Sequence, residues 1–585
     1  MKRLTSLAAA ALATALAWPC AAQEKFALGL FHFNLQYVAG GMLGFWALPS
    51  AELDLESDAI EDLIVTESFA PVIDLYAKHP TWGVDIELQG YFLDVLAARH
   101  PQVLEKLRTL AKSGQIDVVS FHYSDQLFIG YPAESWKRSQ ALTQATFAKY
   151  DVPLSRTVFC QEGQAGEGLA GHMAELGYRT MVWPKNLWTY QHGDQPAQPL
   201  YGFGDLFAVQ GGRGASSAEV ELTWTFLDDG ELLATGDLNP YFPDVFRHKP
   251  EAVKQYEDEL LALESQGFAI VTVDQYVGAV KDKVPHPPMP PLLDGTWQPK
   301  STTGVLRWLG GKGIWPGERD NEVRSLGALA QRELSAAETA AKSAKLDARA
   351  ELDAAWRLLF LGQVTDASGI NPFRGEVEYG IAHCTEALRV AREVIRRAKS
   401  AAGESEVTID PANGTMTPGA MAELRGTTVD APLELAIDAG DREVTTGWEE
   451  IEAGHHRVEI TFGLGASTKA RVSFPGTLED ELFTTRALVD DSLATYRRSD
   501  FSFESFQLAL PAGLVSLGKQ RFLIKDQARV HLAAKITRES GTIEILDETL
   551  PPDETATWVF HLFDGTPEQA LALARSVNVT RRVSR

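Results

Sequence analysis

Two acidic residues in this chain have the surroundings that bond-breaking chemistry needs. Glu162 follows the apolar run VFC, and Asp229 follows the run TFL. Each ends a short β-type segment, where a side chain can project into a cleft. Other polar residues fall at similar positions. His32 and Asn34 end the first apolar run, Glu87 and Gln89 the second, and His122, Tyr123 and Asp125 the third. Trp183 and Lys185 close a fifth, and Asp228, Asp229 and Glu231 a later one. Two carboxyl groups in unlike environments can protonate a leaving oxygen and attack an acetal carbon. Flat Trp and Tyr rings stack on sugar faces, and imidazoles hydrogen-bond hydroxyls. Any one of these residues could equally be a solvated loop residue. Six strand ends in register are harder to dismiss.

The elements that must hold these residues follow from hydrophobic periodicity. Short β-type runs are expected over 26–33, 84–88, 116–121, 157–161, 180–183, 206–209, 222–227 and 269–273. Amphipathic helices are expected over 67–78, 92–113, 134–149, 168–176 and 251–266. This alternation implies parallel strands with helical crossovers. No G-x-G-x-x-G follows the first strand, so a dinucleotide fold has no support. The fold class is therefore α/β: an incomplete (β/α) barrel over 23–283, then a helical domain and an antiparallel β-sandwich.

A Pro-, Gly- and Trp-rich stretch over 284–320 reads as a linker, with Trp297, Trp308 and Trp315 as candidates for aromatic subsites over the cleft or for packing between domains. Residues 321–402 have helical spacing, broken once at 366–374, where Asp366 either reaches the barrel mouth or lies in a helix–helix turn. From 403 to 585 short alternating strands return. His455 and His456 there are expected at the surface.

The first residues carry Lys2 and Arg3, an apolar Ala-rich run and the small residues Cys20-Ala21-Ala22. That order marks a signal peptide over 1–22, cleaved after Ala22, and a periplasmic or secreted protein. No later run suits membrane insertion. The formal net charge is −25. So acidic a surface repels phosphate backbones, which argues against nucleic acid but not against a neutral oligo- or polysaccharide. After cleavage Cys160 and Cys384 remain, too few for a disulfide scaffold. No cofactor is expected. No histidine pair has three or four residues between its members, so no metal site is assigned. Oligomeric state is left open.

At four places the chain resembles glycoside hydrolase family 57. The segment FALGLFHFNLQY (26–37) is similar to its opening strand, with His32 as the sugar-site histidine. GQIDVVSFHYSDQLFIGYP (114–132) resembles the second region, and VFCQEGQAGEGLAGHMAELGY (158–178) the third, where Glu162 matches the nucleophile. LDDGELLA (227–234) looks like the fourth, with Asp229 as the better match for the acid/base and Asp228 the second. The resemblance covers residues 26–280 and extends loosely to 356–379, similar to the helical region after the barrel in families 57 and 38. It implies a retaining glycosidase or glucanotransferase in which His32, Glu87, His122, Tyr123, Trp183, Asp228, Trp308 and Asp366 contact substrate. TFLDDG (225–230) also resembles the polysaccharide deacetylase motif. That reading implies metal-dependent hydrolysis, and a glycan-binding barrel without catalysis is the third reading.

Overall fold

The computed structural model describes residues 23–37, 39–40, 57–165, 169–233, 249–290, 320–367, 374–419 and 424–467, with shorter runs from there to 583. The expected leader and the Trp297, Trp308 and Trp315 segment lie outside the described residues.

The first strand, β1 (Glu24–Phe33), is buried along most of its length. It pairs in parallel with β2 (Val84–Leu88) and β9 (Val220–Asp229), and its first half with β10 (Phe268–Val271). Beyond β2 lies β3 (Ile116–Val119). A second arc holds β4 (Thr157–Val158), β5 (Thr180–Pro184) and β7 (Leu206–Gly211) in parallel, edged by the antiparallel β6 (Tyr201–Phe203). A two-residue β8 (Ala215–Ser216) pairs antiparallel with β9. The arcs meet where Ser155 N donates to Val118 O at 2.8 Å and where Gly211 abuts Leu227. The parallel strands and their crossovers are as the periodicity predicts. The small β6 and β8 edges escaped it because they are too short to show alternation.

Side chains alternate along each strand. Leu28, Leu30, Val182, Val209 and Leu222 share one cluster, which joins the two arcs. Phe31, Phe33, Ile86 and Leu88 belong to another, beneath the helices. Each such side chain contributes about 1.5–3 kcal/mol on full burial. The helices flanking the strands include α1 (Ser57–Leu63), α2 (Ala70–Lys78), α3 (Gly90–Arg99), α4 (Pro101–Lys112), α5 (Ala133–Tyr150), α6 (Leu169–Glu175), α7 (Lys185–His192), α8 (Gly230–Leu233), α9 (Pro250–Ser265) and α10 (Val273–Val280). The helix expected over 92–113 divides at Pro101, whose ring favours the first turn of a new helix over the middle of an old one.

The helical region has three helices, α11 (Asp320–Ser343), α12 (Arg349–Gly362) and α13 (Arg374–Ala401), so it breaks twice, not once. Helix α12 meets α13 closely because Gly362 and Gly380 face each other. A Cβ on Gly362 would lie 2.7 Å from Cys384 Sγ, and one on Gly380 would lie 2.7 Å from Val323 Cγ1. Cys160 and Cys384 are both buried and unpaired. The C-terminal strands are antiparallel and form sheets of eight, five and three strands. Residues of the eight- and five-stranded sheets, among them Phe560 and Phe474, share one hydrophobic cluster. His455, expected at the surface, is buried, with its Nε2 3.0 Å from His561 Nδ1 on the adjacent strand. It is out of phase with Val458, Ile460 and Phe462 and packs against Phe563 on the opposite face of the sheet.

Gly380→Val should overfill the α12–α13 contact and cost about 1–3 kcal/mol. Urea denaturation measures this, and an unchanged midpoint would contradict the packing argument.

Candidate active site

Strand register builds one side of the site. His32 is opposite Glu87 on one neighbour and opposite Asp229 on the other. Partners in a parallel ladder share a face, so Glu87, His32 and Asp229 form a row across β2, β1 and β9. The row sits at the C-terminal ends of the strands, where a parallel barrel collects its functional groups.

Glu87 is fully buried, and its Oε2 accepts from His32 Nδ1. Its Oε1 lies 3.2 Å from His122 Nε2. His122, also fully buried, places Nδ1 2.5 Å from the Ser124 carbonyl oxygen and 3.5 Å from Asp125 Oδ1. Burial alone would raise the Glu87 carboxyl, but the two imidazoles hold it below the usual range. Burial alone would lower the His32 imidazole, but the Glu87 charge and hydrogen bond, with Asp229 and Asp366, hold it above its usual range.

Glu162 approaches from the second arc. The two-residue β4 leads into the turn Gln161–Gly163, in which Glu162 itself has φ 54° and ψ 20°. A left-handed conformation is uncommon for a residue with a side chain, and such strain gathers at functional sites. The start of this turn lies close to the row, since the Phe159 and His32 rings are 6.3 Å apart. Burial, then the charges of Asp229, Asp366 and Asp228, push the Glu162 carboxyl well above its normal range. Asp229 is raised by burial and eased by His32. The Asp229 charge thus reaches Glu162 across the hollow.

Two further acids complete the hollow. Glu231 Oε2 accepts from Asn34 N at 3.3 Å, and burial with the Asp229 charge raises it well above its normal range. Asp366 comes from the loop after α12. Thr365 N donates to the Asp125 carbonyl at 2.6 Å, and Asn34 Nδ2 donates to Asp366 Oδ2 at 2.6 Å. Of the two expectations for Asp366, the structure takes the one that reaches the barrel mouth. Burial, relieved by Asn34 and strengthened by Asp229, pushes its carboxyl up to about 7.

Glu162, Asp229, His32, Glu87, His122 and Asp366 therefore gather at one place. Three candidates do not. Trp183 is fully buried and packs 5.2 Å from Phe203, so no face of its ring is open to a sugar. It alternates with Val182, which faces the cluster joining the two arcs, and so points the other way. Tyr123 turns toward the helices and donates to Asp94 Oδ2 at 2.9 Å. Asp228 is exposed and accepts from Asp229 N at 3.0 Å. Trp308 lies outside the described residues. Asn34, Asp125 and Glu231 were marked in the sequence as strand-end residues but given no part in the sugar site. Nothing in the sequence linked them to Asp366.

Among the described residues, His32, Glu87 and Asp125 offer ligand atoms within 4.8 Å of one another. Nitrogen and carboxylate donors so placed suit a divalent cation such as zinc. His32 and Glu87, however, already satisfy each other directly.

Comparison with known proteins adds the following. No protein-family model matches the chain. An α-mannosidase from Enterococcus faecalis V583 superposes on 96% of this chain and 90% of its own, with a TM-score of 0.63 and 10% identity. A protein in glycosyl hydrolase family 38 from Enterococcus faecalis covers 96% of this chain and 89% of its own, with a TM-score of 0.55 and 11% identity. In sequence, Alpha-amylase 1 of Dictyoglomus thermophilum is 38% identical over 53 residues, which are 9% of this chain and 8% of the amylase.

A carboxyl raised by folding favours the native state at low pH, and that contribution fades as pH climbs from the unfolded to the folded value. For Asp366 this window runs from 3.8 to about 7. Asp366→Asn, which cannot ionise, should gain stability relative to the parent across that window. Urea midpoints at a series of pH values test this, and a difference that stays flat would refute it. Taken together, the chain has the fold seen in the α-mannosidase and the family 38 glycosyl hydrolase protein of Enterococcus faecalis.

Proposed function

We propose that this chain is an exported glycoside hydrolase or glucanotransferase that cleaves an oligo- or polysaccharide with retention of configuration. The observation that carries the reading is the approach of Glu162 and Asp229 from opposite arcs to one acid-rich hollow, close enough that the Asp229 charge helps to raise the Glu162 carboxyl. The glycoside hydrolase likeness of fold and motifs supports it.

Ionised Glu162 attacks the anomeric carbon while Asp229 gives its proton to the departing glycosidic oxygen. The carbon–oxygen bond breaks as the glycosyl ester forms. Asp229, now a carboxylate, takes a proton from water, or from an acceptor sugar, as that oxygen attacks the anomeric carbon of the ester and Glu162 leaves as its carboxylate. Crowding keeps a proton in the hollow for Asp229 to deliver. The same crowding opposes ionisation of Glu162, so activity declines as pH falls through the raised range of that carboxyl. His32 lies next to Asp229 in the ladder and can hydrogen-bond sugar hydroxyls or the leaving oxygen. The acidic chain suits a neutral glycan. The N-terminal leader supports a periplasmic or secreted location. The barrel, helical region and C-terminal sheets are read as three domains, with the linker between the first two and the last a β-sandwich that either binds glycan or supports the catalytic part.

Glu162→Gln and Asp229→Asn should each lower kcat about a thousandfold, within the range of general acid–base effects, with glycan binding kept. Screening a glycan panel for released reducing ends, then trapping with a 2-fluoro glycoside and mass spectrometry, tests this. An ester on any residue other than Glu162, or full activity in either variant, contradicts the assignment.

A further inference from the structure

Glu87 is fully buried, as is His122 beside it, so neither is placed to touch a sugar. The hydrogen-bond directions around them give a different role. The Ser124 carbonyl oxygen can only accept, so His122 Nδ1, 2.5 Å away, is its donor. On the other side of that ring, Glu87 Oε1 faces Nε2 at 3.2 Å. As placed, the two atoms close no hydrogen bond, so Glu87 packs against this ring rather than bonding it. The second carboxylate oxygen of Glu87 accepts from His32 Nδ1. Each oxygen of this one carboxylate thus faces a different histidine, one from β1 and one from the loop after β3. With His32 Nδ1 committed to Glu87, its Nε2 is left without a hydrogen-bond partner among the described residues. That nitrogen is on the far side of the ring from Glu87, and Asp229 occupies the next strand in that direction.

We propose that Glu87 is a positioning residue, which clamps His32 and His122 so that His32 presents Nε2, and no other polar atom, to the substrate. The clamp fixes both the ring plane and the proton on Nδ1. Nε2 is thereby aimed at a substrate oxygen beside Asp229. What Nε2 meets rests on the glycosidase reading. The clamp itself does not.

The test uses the full mature chain. A proton held between an imidazole and a buried carboxylate gives a far-downfield proton NMR signal, assigned to His32 by its disappearance in His32→Gln. This signal should be present in the parent, lost in Glu87→Ala and moved upfield in Glu87→Gln, which keeps the side-chain volume if the alanine variant fails to fold. On a glycan that the parent cleaves, Glu87→Gln should lower kcat by up to about a hundredfold, the scale of a small misplacement, with little change in KM. Persistence of the signal in folded Glu87→Ala overturns the proposal, as does its loss with kcat unchanged. One equivalent of a transition metal retained at this site by the purified protein also overturns it, because the Glu87 oxygens would then be ligands. If no glycan is cleaved but the signal behaves as described, the clamp stands and the glycosidase reading falls.

Discussion

The structure is organised around an electrostatic cost. Glu87, Asp125, Glu162, Asp229, Glu231 and Asp366 converge at the mouth of the parallel strands, with the imidazoles of His32 and His122 among them. Charges of one sign removed from water repel strongly and are poorly screened. The hollow meets this constraint by holding protons, with all of these acids except Glu87 displaced upward. Glu87 differs because both of its oxygens face histidines. Glu87, the acid held ionised, is turned toward the histidines, so Glu162 must lose its own proton before it can act as the proposed nucleophile.

Rigid elements hold the arrangement together. Ladder register carries Glu87, His32 and Asp229 without dependence on loop conformation. Gly230 allows β9 to pass directly into α8, because a Cβ there would lie 2.7 Å from Phe33 Cε2. Glu162 is the exception, held on a strained turn at the end of a two-residue strand. The groups fixed most firmly are therefore the row, and the group with most backbone strain is the proposed nucleophile.

Much of this was legible beforehand. Alternating apolar runs located the parallel strands, and the polar residues ending them included every acid of the barrel part of the site. Faces were harder to read, because strand alternation is exact to one residue and a slip of one reverses inside and outside. Trp183 was assigned to the cleft on chemistry alone, although its neighbour Val182 takes that face. Tyr123 failed for a related reason. Once the strand has ended at Val119, periodicity no longer governs direction, and the docking of the helical region decides it. The tie between Asn34 and Asp366 was beyond local reasoning, since it joins residues 332 positions apart.

That long tie affects how the cleft comes into being during synthesis. The strands can assemble once the first half of the chain has emerged, but Asp366 arrives later and the α12–α13 contact that anchors its loop later still. A nascent chain therefore carries a half-built hollow, without the final acid and without the cap on Asn34. If the chain is exported as proposed, the completed cleft first exists on the far side of the membrane, away from the cell's own glycans.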